Sequence, residues 1–217
     1  MDKVYVVTAP DAVRGVYETW EECRAAISGV SGVKQQAATR EQADAILRGE
    51  GNVLPEGRYA FTDGSGAGGV GLVLIEQGPD GPRSVREIGR SAREVLGEAR
   101  IRGLDSPDAI QAALRQHRQI IPEMTALYLA LSMTEPESDL VVVHDYQGVA
   151  EFIEGTWKSD KPLVSAIVEW CREMITAKGL RVRFRHQDSH VADVLGLDEF
   201  IKWNGRADEL ARSGATD

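Results

Sequence analysis

Four acidic residues stand where a solitary carboxylate is costly. Asp63 follows the apolar run YAFT and precedes the glycine-rich turn GSGAGG, and Asp145 closes the apolar run DLVVVH. Both read as the ends of buried strands, where an unpaired charge is expensive. Glu123 opens EMTALYLALSM, a helix whose Met124, Leu127 and Leu131 form an apolar stripe. Asp208 falls in the first turns of a final helix, WNGRADELARSGA, four residues after Asn204 and on the same face. At the carboxyl ends of adjacent strands, Asp63 and Asp145 would lie side by side, in the crevice where open α/β sheets keep their sites. Carboxylates gathered in a partly dry site repel one another and hold protons more tightly, a cost that divalent cations remove. Oxygen-only donors select hard ions. Two such ions, roughly 3.5–4 Å apart, would activate a water and stabilise the leaving oxygen of a phosphodiester. The expectation is therefore two Mg²⁺ (or Mn²⁺) ions per site. Any one of these acids alone is more often a turn former or helix cap, so the constellation carries the reading.

The elements that would position them follow from patterning. Residues 1–47 read as a small α/β module: a strand at VYVV, a second at VYET, and helices at WEECRAAISG and REQADAILR. Thr19 with Glu22, and Thr39 with Gln42, are capping-box pairs that open those helices. RGEGNVLPEG, residues 48–57, reads as a linker, and 58–217 as the second domain. There, strands at 59–63, 70–76 and 83–90 form an antiparallel meander. A helix follows from Pro107, then the Glu123 helix with Pro122 in its first turn, then the strand ending at Asp145. VAEFIEGTW and PLVSAIVEWCREMITAKG read as helices, the second stopped by Gly179, and LRVRFR as a fifth strand. The fold class is α/β: a five-stranded mixed sheet, three antiparallel strands followed by parallel ones, with helices on both sides.

The 217 residues are 42% hydrophobic and 27% charged, which suits a soluble globular protein. No apolar run reaches membrane-span length, and MDKVYVVTAPD lacks the apolar segment of a signal peptide. Cys23 and Cys171 make no disulfide framework and read as reduced thiols, so the expected location is the cytoplasm. The net charge of −9 argues mildly against affinity built on neutralising phosphates, yet it suits a nuclease that grips nucleic acid through metal ions.

In order, TDGS after a strand, the helix-borne Glu of EMTALYLAL, VVVHDYQGV and NGRADELA resemble the motifs of type 1 ribonuclease H, over essentially all of 58–214. DYQGVAEFIEGTWKSDKP is closest to a bacterial subgroup. Residues 1–47, with YVV, GVYETWEEC, GVK and a TxEQA helix, resemble the hybrid-binding (viroplasmin-like) domain that often precedes such enzymes. The resemblance implies a ribonuclease H-like sheet and an endonuclease. It would cut the RNA strand of RNA/DNA hybrids by a two-metal-ion mechanism, leaving 5′-phosphate and 3′-hydroxyl ends. It places Asp63, Glu123, Asp145 and Asp208 on the family's metal-binding carboxylates, and His190 on a mobile-loop histidine that helps product depart. His186 reads as a strand residue. Gln119, Gln147 and Asn204 fall on RNA-contacting positions. Selecting a hybrid requires sensing 2′-hydroxyls across a shallow minor groove, for which the amides of Gly64, Ser65 and Gly66 are available. Trp157 would lie against the DNA strand, or else be a helix-end core residue, with Lys158 and Lys161 on phosphates.

Some residues depart from the pattern. The loop after Asp63 is short, Ile120 replaces a common RNA-contacting Asn, and VADVLGLDEFIK is an insertion before Trp203. In the N-terminal module, Tyr5 and Trp20 match aromatics that pack on sugars, though Trp20 also suits a helix staple. Gln35 and Gln36 follow Lys34 where a lysine pair is usual, and acids outnumber bases. This module is expected to bind hybrid weakly or to have turned toward a protein contact. The expected partner is an RNA/DNA hybrid, with no membrane, for a monomeric protein. The competing class is a catalytically weak or inactive nucleic-acid-binding protein on the same fold. A proofreading-type exonuclease is disfavoured, because Ser65 stands where that chemistry commonly has a Glu.

Overall fold

A computed structural model describes residues 3–48, 53–99, 106–187 and 198–215. The chain packs as two compact units, Met1–Leu54 with His190–Lys202, and Pro55–Ser189 with Trp203–Asp217.

In the first unit, strands β1 (Lys3–Ala9), β2 (Gly15–Tyr17) and β3 (Lys34–Thr39) form an antiparallel sheet in the order β2-β1-β3. Helices α1 (Trp20–Ile27) and α2 (Arg40–Leu47) each begin with the expected capping box, both halves of which form at Thr19–Glu22 and Thr39–Gln42. Alternation along β1 sorts its residues to two faces. Val4 and Val6 are fully buried against Ala43 of α2, and Tyr5 turns to the opposite face. The sequence reading omits β3. KQQAAT has a single β-branched residue and no alternation, so it becomes a strand by pairing with β1 and not by propensity.

The second unit is built on a five-stranded sheet, with β4 (Gly57–Gly64), β5 (Gly69–Gly78), β6 (Gly81–Ser91), β7 (Asp139–His144) and β8 (Arg181–His186) in the order β6-β5-β4-β7-β8. Strands β4 to β6 pair antiparallel, while β4–β7 and β7–β8 pair parallel. This is the five-stranded mixed sheet expected from the sequence, three antiparallel strands followed by parallel ones. Helix α5 (Ile120–Met133) packs against β4 and is apolar nearly all round, with ten of its fourteen residues buried. The stripe read from the sequence understates it. Around α5 lie α3 (Ala92–Ala99), which the sequence reading left unassigned, α4 (Pro107–Gln116), α6 (Gly148–Glu154) and α7 (Pro162–Ala177). Their apolar side chains make the main core with Val70, Leu72 and Val142 of the sheet. Left-handed glycines end two of these helices, Gly155 after α6 and Gly179 after α7.

Helix α8 (Glu199–Ser213) covers the opposite face. A β-carbon on Gly69 or Gly71 would lie 1.8 or 1.9 Å from the carbonyl oxygens of Ala211 and Ala207, so the helix backbone rests directly on β5. The expected final helix begins four residues earlier than its sequence pattern, because Asp198 accepts from the amides of Phe200 and Ile201 and starts it. Among the described residues, no helix is long and apolar enough to cross a membrane. Cys23 and Cys171 are buried and free.

Candidate active site

Parallel pairing of β4 with β7 matches Phe61 to Val143 and Thr62 to His144. One step further along each chain are Asp63 and Asp145, which therefore emerge together at the carboxyl edge. Gly64 ends β4 against the first turn of α5, where Pro122 costs no hydrogen bond because its N–H would be unpaired anyway. That contact brings Glu123 to the same place. Carboxylate oxygens of Asp63, Glu123 and Asp145 all lie within 4.8 Å of one another. Asp63 and Glu123 are each only 6% exposed.

This proximity has an electrostatic cost. Burial first, and then the Asp145 charge, push the Asp63 carboxyl up to about 6, against the opposing pull of Arg212 and the Gly64 amide. Burial, Asp63 and Asp145 raise Glu123 well above its ordinary value. Oε2 of Glu123 is buried without a hydrogen-bond partner, which native structures rarely tolerate without an ion or water. An all-oxygen donor set, mutual repulsion and an orphaned buried oxygen together fit a hard divalent cation.

Asp208 lies outside this group of three. It is half-buried on α8, and its Oδ1 accepts from Nε of Arg212 at 2.8 Å, one helical turn on. Arg212 was not singled out from the sequence. Its (i, i+4) spacing from Asp208 was the available signal.

Two histidines frame the Asp145 turn. His144 is 1% exposed, and its Nδ1 lies 3.0 Å from the carbonyl oxygen of Tyr146. His186, the last residue of β8 as expected, places Nε2 2.8 Å from the carbonyl oxygen of Asp145. His190 lies outside the described residues.

The remaining candidates are spread more widely. Gln119 and Gln147 are exposed at the starts of α5 and α6, Gln147 reaching Glu151 at 3.4 Å. Asn204 is buried, with Oδ1 unpartnered. The amide of Ser65 donates to the Gly69 carbonyl, and the Gly64 amide serves the carboxylates. Gly66, by contrast, has open space beside it. Trp157 is 43% exposed, its ring edge-on to Phe152 at 5.8 Å. Lys158 is exposed, and Lys161 pairs with Asp160. In the first unit, Tyr5 and Trp20 have ring centroids 5.4 Å apart, and Lys34 is exposed at the start of β3.

The five-stranded sheet thus brings three acids together at the carboxyl edge of its two central strands. Residues 3–45 match the family model described as Ribonuclease H1 N-terminal domain. The whole chain resembles a type 1 ribonuclease H with that module in front. Similar solved structures include RNase H1 from the halophilic archaeon Halobacterium salinarum NRC-1, 19% identical, covering 72% of this chain and 96% of that one, TM-score 0.45. LC11-RNase H1, isolated from compost by a metagenomic approach, is 14% identical over 74% of this chain and 96% of its own, TM-score 0.45. The N-terminal RNase H domain from Mycobacterium tuberculosis, solved as a fusion with maltose binding protein, is 15% identical over 73% and 98%, TM-score 0.42. No curated protein matches the chain.

Proposed function

We propose that the chain is an endonuclease hydrolysing the RNA strand of RNA/DNA hybrids, with residues 1–47 as a hybrid-binding module and 58–217 as the catalytic domain. The observation that carries this reading is the buried cluster of Asp63, Glu123 and Asp145, with its orphaned Glu123 oxygen, at the carboxyl edge of the sheet. The N-terminal family match supports the substrate class. Asp63, Glu123 and Asp145 would hold Mg²⁺ or Mn²⁺, with Asp208 as a fourth carboxylate from α8. Two bound ions would supply an activated water and charge neutralisation at the leaving 3′-oxygen, giving 5′-phosphate and 3′-hydroxyl ends.

The chain's own contribution is placement. The contact of Gly64 on α5 fixes Glu123 against Asp63, and burial of both carboxylates limits water around the reacting phosphate. The exposed amides Gln119 and Gln147 stand at helix starts beside this edge, suited to RNA hydroxyls and phosphates. Asn204 belongs to the proposed substrate contacts, as do the exposed Trp157 and Lys158, with Lys161. His190 is proposed to assist product departure. Incubating a labelled hybrid with Mg²⁺ or Mn²⁺ tests the assignment. The intact chain should cleave the RNA strand, and Asp145→Asn should lose at least a hundredfold in rate by analogy with removal of other essential charge-stabilising groups, which costs roughly 10²–10³. Binding without cleavage in either metal would instead favour the inactive nucleic-acid-binding protein.

A further inference from the structure

The pairing of β7 with β8 ends one residue short of Asp145. Its last bond runs from the Gln187 amide to the His144 carbonyl at 2.8 Å. Beyond it, the ladder offers Asp145 nothing. The next two carbonyls meet imidazoles: that of Asp145 is held by Nε2 of His186 at 2.8 Å, and that of Tyr146 accepts from Nδ1 of His144 at 3.0 Å as well as from the Val149 amide at 3.0 Å. The carbonyls of residues 144, 145 and 146 thus all accept, the first from backbone, the second from an imidazole, and the third from both.

A carbonyl oxygen only accepts, so both ring nitrogens carry hydrogen here. For His144 this fixes the tautomer. Burial holds the ring neutral, with its pKa pushed down to about 4, and leaves Nε2 as a buried lone pair without a partner. The rings meet edge-on at 5.8 Å, and Phe184 meets the buried His144 ring at 5.9 Å. The packed ring of His144 grips the far side of the turn, and the exposed His186 grips the Asp145 peptide itself.

We propose that His186 and His144 form a clamp of positioning residues that sets the backbone of Asp145, and so aims its carboxylate at the metal site. This rests on the metal-site reading above. Groups behind metal ligands typically change affinity when lost, and a site held slightly loosely works poorly even with its ligands intact.

The test uses the full chain with His186→Phe, which keeps a flat ring but no donor, and His186→Gln, whose side-chain amide nitrogen reaches a comparable position. Three measurements are compared with wild type: Mn²⁺ titration without substrate, melting with and without Mn²⁺, and kcat and KM on hybrid. His186→Phe should bind Mn²⁺ roughly threefold to tenfold more weakly, as expected for one lost hydrogen bond. It should show a smaller Mn²⁺-induced rise in melting temperature and a lower kcat at unchanged KM. His186→Gln should restore most of each. His144→Asn, which keeps a donor near the Nδ1 position, should likewise outperform His144→Leu in Mn²⁺ affinity. Wild-type Mn²⁺ affinity in His186→Phe would overturn the clamp alone, as would an equal loss in His186→Gln. A melting deficit of the same size with and without Mn²⁺ would also overturn it. Failure of the wild-type chain itself to bind Mn²⁺ through its carboxylates would overturn both the clamp and the site.

Discussion

A β-carbon on Gly64 would lie 2.3 Å from the amide nitrogen of Glu123. The strand that delivers Asp63 and the helix that delivers Glu123 thus touch backbone to backbone, and no side chain fits between them. Gly64→Ala must push α5 away from β4, because neither neighbour is a flexible chain end. It should cost about 1–3 kcal/mol, typical of overpacking, and weaken Mn²⁺ binding. Gly66→Ala, in the same loop but with nothing within 4 Å, is the control. Urea unfolding and Mn²⁺ titration of the two variants check this. Equal behaviour of both would show that the contact is not what holds the carboxylates together.

The carboxylate cluster should make the metal-free protein sensitive to pH in an unusual direction. Asp63 is raised to about 6, chiefly by burial and then by Asp145. Between the ordinary carboxylate range and pH 6, the folded chain keeps a proton that the unfolded chain has released. Stability therefore falls as pH rises through that window, by on the order of 3 kcal/mol for this group. Glu123, raised in the same direction, extends the fall to higher pH. In EDTA at pH 7, Asp63→Asn should melt higher than wild type, and saturating Mg²⁺ should shrink or reverse that difference. Melting curves at pH 4.5 and 7, with and without metal, decide it. A metal-free wild type that gains stability over this range would contradict the cluster's electrostatics.

What the sequence revealed about this site depended on how local each signal was. Asp63 and Asp145 stood out because each ends an otherwise apolar strand, a pattern visible within six residues. The capping boxes at Thr19 and Thr39 were equally local, and both formed. Strand β3 escaped because KQQAAT carries no alternation, and its pairing is set by β1, roughly thirty residues earlier. Glu123 was legible as a helix-opening acid, but its depth was not, since α5 is buried by elements from three separate stretches of the chain. His144 sat unnoticed within VVVH, where a histidine reads as core. Its grip on Tyr146, and that of His186 on Asp145, depend on the β7–β8 register, which no single segment encodes.

Arg212 links Asp208 to the cluster without joining it. Its guanidinium pairs with Asp208, and its charge favours the ionised form of Asp63. Removing that charge in Arg212→Gln should move the Asp63 titration upward and leave Asp208 without its helical partner. The side-chain carboxyl carbon resonances, followed by NMR against pH in metal-free protein, report both. An unchanged or lower Asp63 midpoint would mean that Arg212 does not act on the site.

The N-terminal module should contribute contact without much charge. Tyr5 and Trp20 tilt together at 49°, Trp20 stays 38% exposed, and Nζ of Lys3 lies 5.8 Å from the Tyr5 ring centre. Acids outnumber bases over residues 1–47, so few counterions are available for release. Aromatic packing on nucleic acid is worth roughly 1–3 kcal/mol per contact, and it is insensitive to salt because the ring is neutral. In an Asp145→Asn background, Trp20→Ala should therefore weaken hybrid binding about fivefold or more, with an unchanged slope against salt. Lys34→Ala should weaken it less and flatten that slope by close to ~1 unit if the lysine meets a phosphate. Fluorescence anisotropy at several salt concentrations separates these behaviours. If Trp20 serves only as a staple for α1, Trp20→Ala will instead lower the melting temperature and leave hybrid affinity where it was.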